Sequence, residues 1–214
     1  KKEKIARNSA RPKLTTIELN DLPFADRSLY KKYEHFREYP FEIFVGSRGC
    51  PFTCSFCEVP DINAMYGSKQ KSVYYRDPVE FVDEIEAAKK NGLLDDKLVM
   101  FTDSTFNSHR KWFLRFLDEY RRRIGIPFSC NLRVDLVNEE QVKALAESGC
   151  DNVRFGIEAG DYDIRNRILD KNLKDEKIYE VADLLHKYKI PFITFNLFAS
   201  PEETYEQAWK TIRI

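Results

Sequence analysis

The sequence predicts an α/β protein: a parallel sheet with helices packed on one face and a polar opposite face, curved into a hollow partial barrel. Three observations predict it. Short apolar runs alternate five times with helical stretches of roughly 12 to 16 residues. Several of those stretches open on a capping side chain, and two close on glycine. Read with a period of two, the later runs put polar side chains on one face only.

The chain has 214 residues, 43% hydrophobic and 33% charged, enough for one sizeable domain with its own core. Residues 1–38 carry charge, Pro12, Pro23 and little periodicity, and read as an extension that packs on a domain; residues 39–214 are that domain. The first strand is 41–46, "FEIFVG". Asp77-Pro78-Val79-Glu80 then supplies an N-cap acceptor, a proline at the first helical position and a capping-box glutamate, with Gly92 as the stop. The second strand, 97–102 "KLVMFT", is followed by Trp112, Phe113, Phe116, Leu117 and Tyr120 at helical spacing, a core stripe. The third, 128–134 "FSCNLRV", leads to a capping box from Asn138 to Gln141 and a helix ending at Gly149. The fourth, 152–157 "NVRFGI", precedes a helix buried through Ile178, Val181, Ala182 and Leu185, and the fifth is 192–198 "FITFNLF".

Strand, helix, strand with short loops implies right-handed crossovers and a parallel sheet. A packed barrel fills its interior with branched apolar side chains. Here alternation sets Asn131, Arg133 and Asp135 against Cys130, Leu132 and Val134, and Arg154, Gly156 and Glu158 against Val153, Phe155 and Ile157. In the last run Thr194 and Asn196 oppose Ile193, Phe195 and Leu197. The apolar sides pack on helices. The polar sides face inward, where they need partners or solvent, so the barrel is expected to be hollow with its chemistry at the carboxyl ends of the strands.

Lys+Arg and Asp+Glu are equal at 35 each, so no global field draws the chain to nucleic acid or to an anionic membrane. No apolar segment approaches the roughly 20 residues that cross a bilayer, and "KKEKIARNSARPK" lacks the apolar centre of a signal peptide. The expected location is the cytoplasm, where thiols stay reduced.

Three of the five cysteines, Cys50, Cys54 and Cys57, stand at C-x3-C-x2-C in "GSRGCPFTCSFCEVP", directly after the first strand. A structural zinc site takes four ligands, usually as two paired half-sites. No second C-x2-C occurs, Cys130 lies on the helix-facing side of its strand, Cys150 follows a helix at its glycine stop, and His35, His109 and His186 are scattered. Three thiolates suit an iron-sulfur cluster: four cysteines saturate a [4Fe-4S] cube, whereas three leave one iron open, as catalysis requires. Zinc is the competing reading.

C-x3-C-x2-C with the aromatic Phe56 just before its last cysteine resembles the signature of the radical S-adenosylmethionine (SAM) enzymes. Further segments agree in order: "FTDSTFN", "NLRVDLVNEE", "VRFGIEAGD" and "FNLFASPEET". Together they span residues 41–214. The resemblance implies a partial (β/α)6 TIM-like barrel, here short of its sixth strand and therefore expected to be truncated at the C-terminus. It implies a [4Fe-4S] cluster on Cys50, Cys54 and Cys57, whose open iron binds the amino and carboxylate groups of SAM. One electron then cleaves SAM to methionine and a 5'-deoxyadenosyl radical, the cofactor carrying the hard chemistry. Carried over residue by residue, Phe56 packs by the adenine, Asp103 stands near the SAM amino group, and Arg133 pairs with its carboxylate as a fork. Glu158 in "GIEAG" contacts the ribose or amino group, Gly156 allows close backbone approach, and Asn196 lies on the adenine side. A mutual interior ion pair is the alternative for Arg133 and Glu158. "DST" departs from the paired acids that relatives often carry there, leaving one carboxylate.

"ELNDLPFADRSLY" is similar to the linker that joins a cobalamin-binding domain to the barrel in the B12-dependent branch, and "RVDLVNEEQVKALAESGCDNVRFGIEAGD" fits that branch. No D-x-H-x-x-G motif occurs, so cobalamin, if used, is held upstream of Lys1 or on another chain. The expected function is B12-dependent methyl transfer or ring formation on a small-molecule or peptide substrate, with an electron donor such as flavodoxin or ferredoxin. The alternatives are a methylthiotransferase-like radical SAM enzyme, and a non-catalytic iron-sulfur module for electron transfer or SAM binding.

Overall fold

The computed structural model describes residues 14–66 and 73–214; residues 1–13 of the expected extension lie outside the described residues. The strands are β1 (Phe41–Phe44), β2 (Ser47–Arg48), β3 (Tyr74–Tyr75), β4 (Leu98–Phe101), β5 (Phe128–Asn131), β6 (Cys150–Glu158) and β7 (Phe192–Asn196). The helices are α1 (Thr16–Asn20), α2 (Glu34–Arg37), α3 (Val59–Met65), α4 (Pro78–Lys90), α5 (Arg110–Arg123), α6 (Glu139–Glu147), α7 (Asp175–Lys187) and α8 (Tyr205–Arg213).

Five strands form one parallel sheet in the order β1-β4-β5-β6-β7, and crossovers carrying α4, α5, α6 and α7 join successive members. β1 and β7 are its two edges, so the barrel is open. β2 and β3 form a separate antiparallel ribbon that period-two reading does not detect, because two residues carry no period.

The apolar faces of β4, β5 and β6 pack on α4 to α7 in one core. Phe101 is its hub: it stacks on Phe106 at 4.9 Å and meets Phe116, Tyr120 and Phe128 edge-on at 5.1, 5.7 and 5.5 Å. Such geometries add to simple area burial. The stripe Trp112, Phe113, Phe116, Leu117 and Tyr120 is buried as expected, as are Ile178, Val181 and Leu185, whereas Ala182 is half-buried.

The local signals act with differences of detail. Asn138 and Gln141 form the expected reciprocal box, and Gly149 adopts a positive φ of 82° past the helix end. Asp77 caps α4 by accepting from the N–H of Val79 at 2.9 Å, but Glu80 does not close a box. The N–H of Asp77 that such a box would satisfy donates to Asn20 at 2.8 Å, so the extension does that work.

Two readings of strand faces are corrected. β5 ends at Asn131 rather than 134: Asn107 takes both the N–H and the carbonyl of Arg133, and the chain then tightens into a 3-10 turn at Val134–Leu136. In β7 the faces are reversed. Ile193 and Phe195 lie beside Arg154 and Gly156, while Thr194 lies beside Phe155, whose ring is in the helix-side core. Neighbours across a parallel ladder point the same way, so Ile193 and Phe195 face inward and Thr194 outward, while Asn196 falls beside Glu158 after an irregularity in the register.

Candidate functional site at the carboxyl rim

The loop after β1 begins with Gly46, where a Cβ would lie 2.5 Å from the Phe81 ring; only glycine lets the chain pass that close. Asp103, just past β4, accepts from the N–H of Gly46 at 3.2 Å and of Ser47 at 2.6 Å and from the Ser47 hydroxyl. It is fully buried and lashes two strand ends together rather than lining open space. Burial pushes its carboxyl up to about 6, against the pull of the three donors.

All three cysteines of the loop are free thiols. Cys50 Sγ lies 3.2 Å from the Thr105 hydroxyl, and Cys54 Sγ accepts from Arg133 Nη1 at 3.2 Å. Among the described residues no three Cys, His, Asp or Glu side chains are gathered as a metal site. Two of the sulfurs have taken polar partners instead. The scattered histidines are accounted for separately: His109 Nδ1 caps α5, His35 meets Tyr39, and His186 meets Phe192.

A distant segment holds this loop in shape. Thr53 donates to Asp170 at 2.9 Å, the Ser55 hydroxyl to the Ile168 carbonyl at 2.6 Å, and the Ser55 N–H to the Leu169 carbonyl at 3.1 Å. Arg133 ties both parts: its guanidinium lies 3.6 Å from the centre of the Phe52 ring and bonds Asp135 at 2.7 Å, Cys54, and the Lys171 carbonyl.

Glu158 ends β6 at a positive φ of 72°, a conformation unusual outside glycine. Its carboxylate pairs with Lys171 Nζ at 2.8 Å, both side chains nearly buried. A Cβ at Gly156 would collide with that carboxylate, so the glycine makes room for the ion pair. Phe56 stands 42% exposed with Lys171 Nζ 5.7 Å from its ring centre.

Cys54, Phe56, Arg133, Gly156 and Glu158 therefore meet around Lys171, which sequence reading passed over. The alternative reading, a mutual Arg133–Glu158 pair, is not formed; each has its own partner, Asp135 and Lys171. Asn196 lies beside Glu158 in the sheet, its amide donating to the Thr194 hydroxyl at 3.1 Å. Also passed over was Arg165, wholly buried, which grips the carbonyls of Ala159 and Leu173 and the carboxylate of Asp175, fixing the segment that carries Lys171. In "RNRILDKN" Arg165 follows Ile164, a weak signal, whereas Lys171 between Asp170 and Asn172 carries none.

The sequence profile described as the radical SAM superfamily matches residues 44–214. The chain belongs to that superfamily. It is 28% identical over 195 residues to bacteriochlorophyllide d C-12(1)-methyltransferase of Chlorobaculum tepidum, covering 89% of this chain and 40% of the relative. It is 34% identical over 116 residues to the anaerobic magnesium-protoporphyrin IX monomethyl ester cyclase of Rubrivivax gelatinosus, covering 53% and 19%. The radical SAM methyltransferase TsrM of Kitasatospora setae, solved with tryptophan substrate and aza-SAM, superposes with a TM-score of 0.71 at 23% identity over 84% of this chain and 34% of that one. A second TsrM structure, with cobalamin and a [4Fe-4S] cluster, gives 0.69 at 22%, covering 84% and 33%. The chain thus spans less than half the length of these relatives, and the likeness to TsrM is one of fold. Among the described residues no helix is long and apolar enough to cross a membrane.

Proposed function

We propose that this chain is the cluster- and SAM-binding core of a cobalamin-dependent radical SAM enzyme that methylates a small molecule, with ring formation as the related outcome. One observation carries it: three free thiols on a single loop at the carboxyl rim of an open parallel sheet, bordered by Arg133, Lys171 and Glu158. By kind and number the donors suit a [4Fe-4S] cluster with an open iron: three cysteine sulfurs on one loop, which are not drawn together in this structure. When bound, that cluster supplies the electron that splits the SAM sulfonium.

The rest is the work of the chain. Releasing Cys54 from Arg133 frees Nη1 to donate to the SAM carboxylate, while Asp135 and the Lys171 carbonyl keep the guanidinium in place. Glu158, held by Lys171, accepts from the ribose or amino group, and Phe56 offers a ring face to the adenine. The open concave face admits substrate beneath. The corrinoid is proposed to be held by residues other than these 214, which contain no D-x-H-x-x-G motif.

Anaerobic reconstitution with iron and sulfide, followed by reduction with SAM present, tests the reading. Release of 5'-deoxyadenosine that is lost in Cys54→Ala supports it; a cluster that reduces without consuming SAM overturns it. Arg133→Ala is expected to weaken SAM binding while iron and sulfide content stay intact. A corrinoid that fails to accompany the enzyme purified with its natural flanking sequence removes the cobalamin part alone.

A further inference from the structure

The buried and half-buried cations around this sheet carry carboxylate partners: Arg27 with Glu42 and Glu84, Arg76 with Glu84, Arg133 with Asp135, Arg165 with Asp175, Lys171 with Glu158. Arg154 is the exception. It leaves the middle of β6 on the face away from the helices, since its neighbours Val153 and Phe155 are the side chains buried against them. Its guanidinium reaches across β5 to β4, where Nη1 donates to the sulfur of Met100 at 3.2 Å. A thioether is a weak acceptor, and no carboxylate among the described residues forms an ion pair with Arg154.

A half-buried charge without a counter-charge is costly to hold. The surroundings say what its partner looks like. Ile193 and Phe195 lie in register beside Arg154 and Gly156, and their side chains remain 50% and 49% exposed on the inward face. On the other side Met100 lies beside Ile43, itself half exposed. One positive charge thus sits on the floor with the polar Asn131 beside it on β5 and apolar side chains toward either edge of the sheet.

We propose that Arg154 is the anion anchor of the substrate chamber, and that the substrate is an apolar body bearing a carboxylate. The carboxylate forks onto Arg154 and the apolar body lies against Ile193 and Phe195. This rests on reading the concave face as the substrate chamber. Arg154 is four residues before Glu158, about 13 Å along the strand at ~3.3 Å per residue, so it serves a group deeper than the rim.

The test compares two fluorescent probes that differ by one anionic group, 1-anilinonaphthalene-8-sulfonate and the neutral N-phenyl-1-naphthylamine, titrated into the chain and its variants. Arg154→Gln is expected to weaken the sulfonate about tenfold, the loss of one charge-assisted contact, and to leave the neutral probe within about twofold. Arg154→Lys, which keeps the charge without the planar fork, restores part of the sulfonate affinity. SAM binding is unchanged in both variants. The proposal is overturned if the sulfonate binds Arg154→Gln as well as the unaltered chain, if both probes weaken equally, or if SAM binding is what is lost. A chain that takes up no iron would sink the radical SAM reading while leaving the charge preference of the chamber measurable.

Discussion

The two edges of the sheet are finished in opposite ways. At β1 the extension lays Arg27 along the strand: its guanidinium bonds Glu42 at 2.7 Å and the outward carbonyl of Ile43 at 2.8 Å, reaches Glu84 on α4, and sits 3.9 Å from the centre of the Phe44 ring. Phe44 below it is 1% exposed. At β7 no described segment lies alongside, and Ile193 and Phe195 stand half exposed. An unpaired edge with apolar side chains invites pairing with a further strand, whereas a capped one does not. The difference teaches that the β1 side is the anchored half of the fold and the β7 side the adaptable one, with the cysteine loop hung on the former.

Matched substitutions break or sharpen that contrast. Phe44→Ala is expected to cost about 3 to 5 kcal/mol, read from urea unfolding, because a buried ring leaves a cavity. Arg27→Ala comes next at about 3 kcal/mol, since Glu42 and Glu84 keep their charges with fewer partners. Asp103, which ties β4 to the loop after β1, gives a pH signature. Its folded value near 6 lies above the ordinary 3.8, so the folded chain binds the extra proton between those values. The contribution of this carboxyl is therefore full below about pH 4 and is lost as the pH rises through 6, by an amount on the order of 3 kcal/mol. Asp103→Asn flattens that slope in unfolding series across pH 4 to 7. The smallest effect belongs to the other edge: Phe195→Ala shifts stability by less than about 1 kcal/mol, and a loss as large as that of Phe44→Ala would erase the contrast.

Much of this was legible in the residues, because much of it is local. The five strand starts, the Asn138–Gln141 box and the stripe through Trp112 and Tyr120 depend on neighbours within a few positions. The cysteine spacing needs no fold to be noticed. What escaped is long-range or ambiguous. "FITFNLF" carries aromatic or branched residues on both alternations, so a slip of one residue exchanges its faces, and only the register with β6 decides. Lys171 meets Glu158 because Arg165 folds the intervening segment back, a contact with no periodic trace. Asn107, which ends β5 by taking both backbone groups of Arg133, looks in the sequence like any loop asparagine.

The stitches from Thr53 and Ser55 to residues 168–170 have a consequence for the life history of the protein. More than a hundred residues must be synthesised after the thiols emerge before the template that shapes their loop exists. The loop that carries the three thiols therefore takes its final shape only after residues 168–170 have joined the fold.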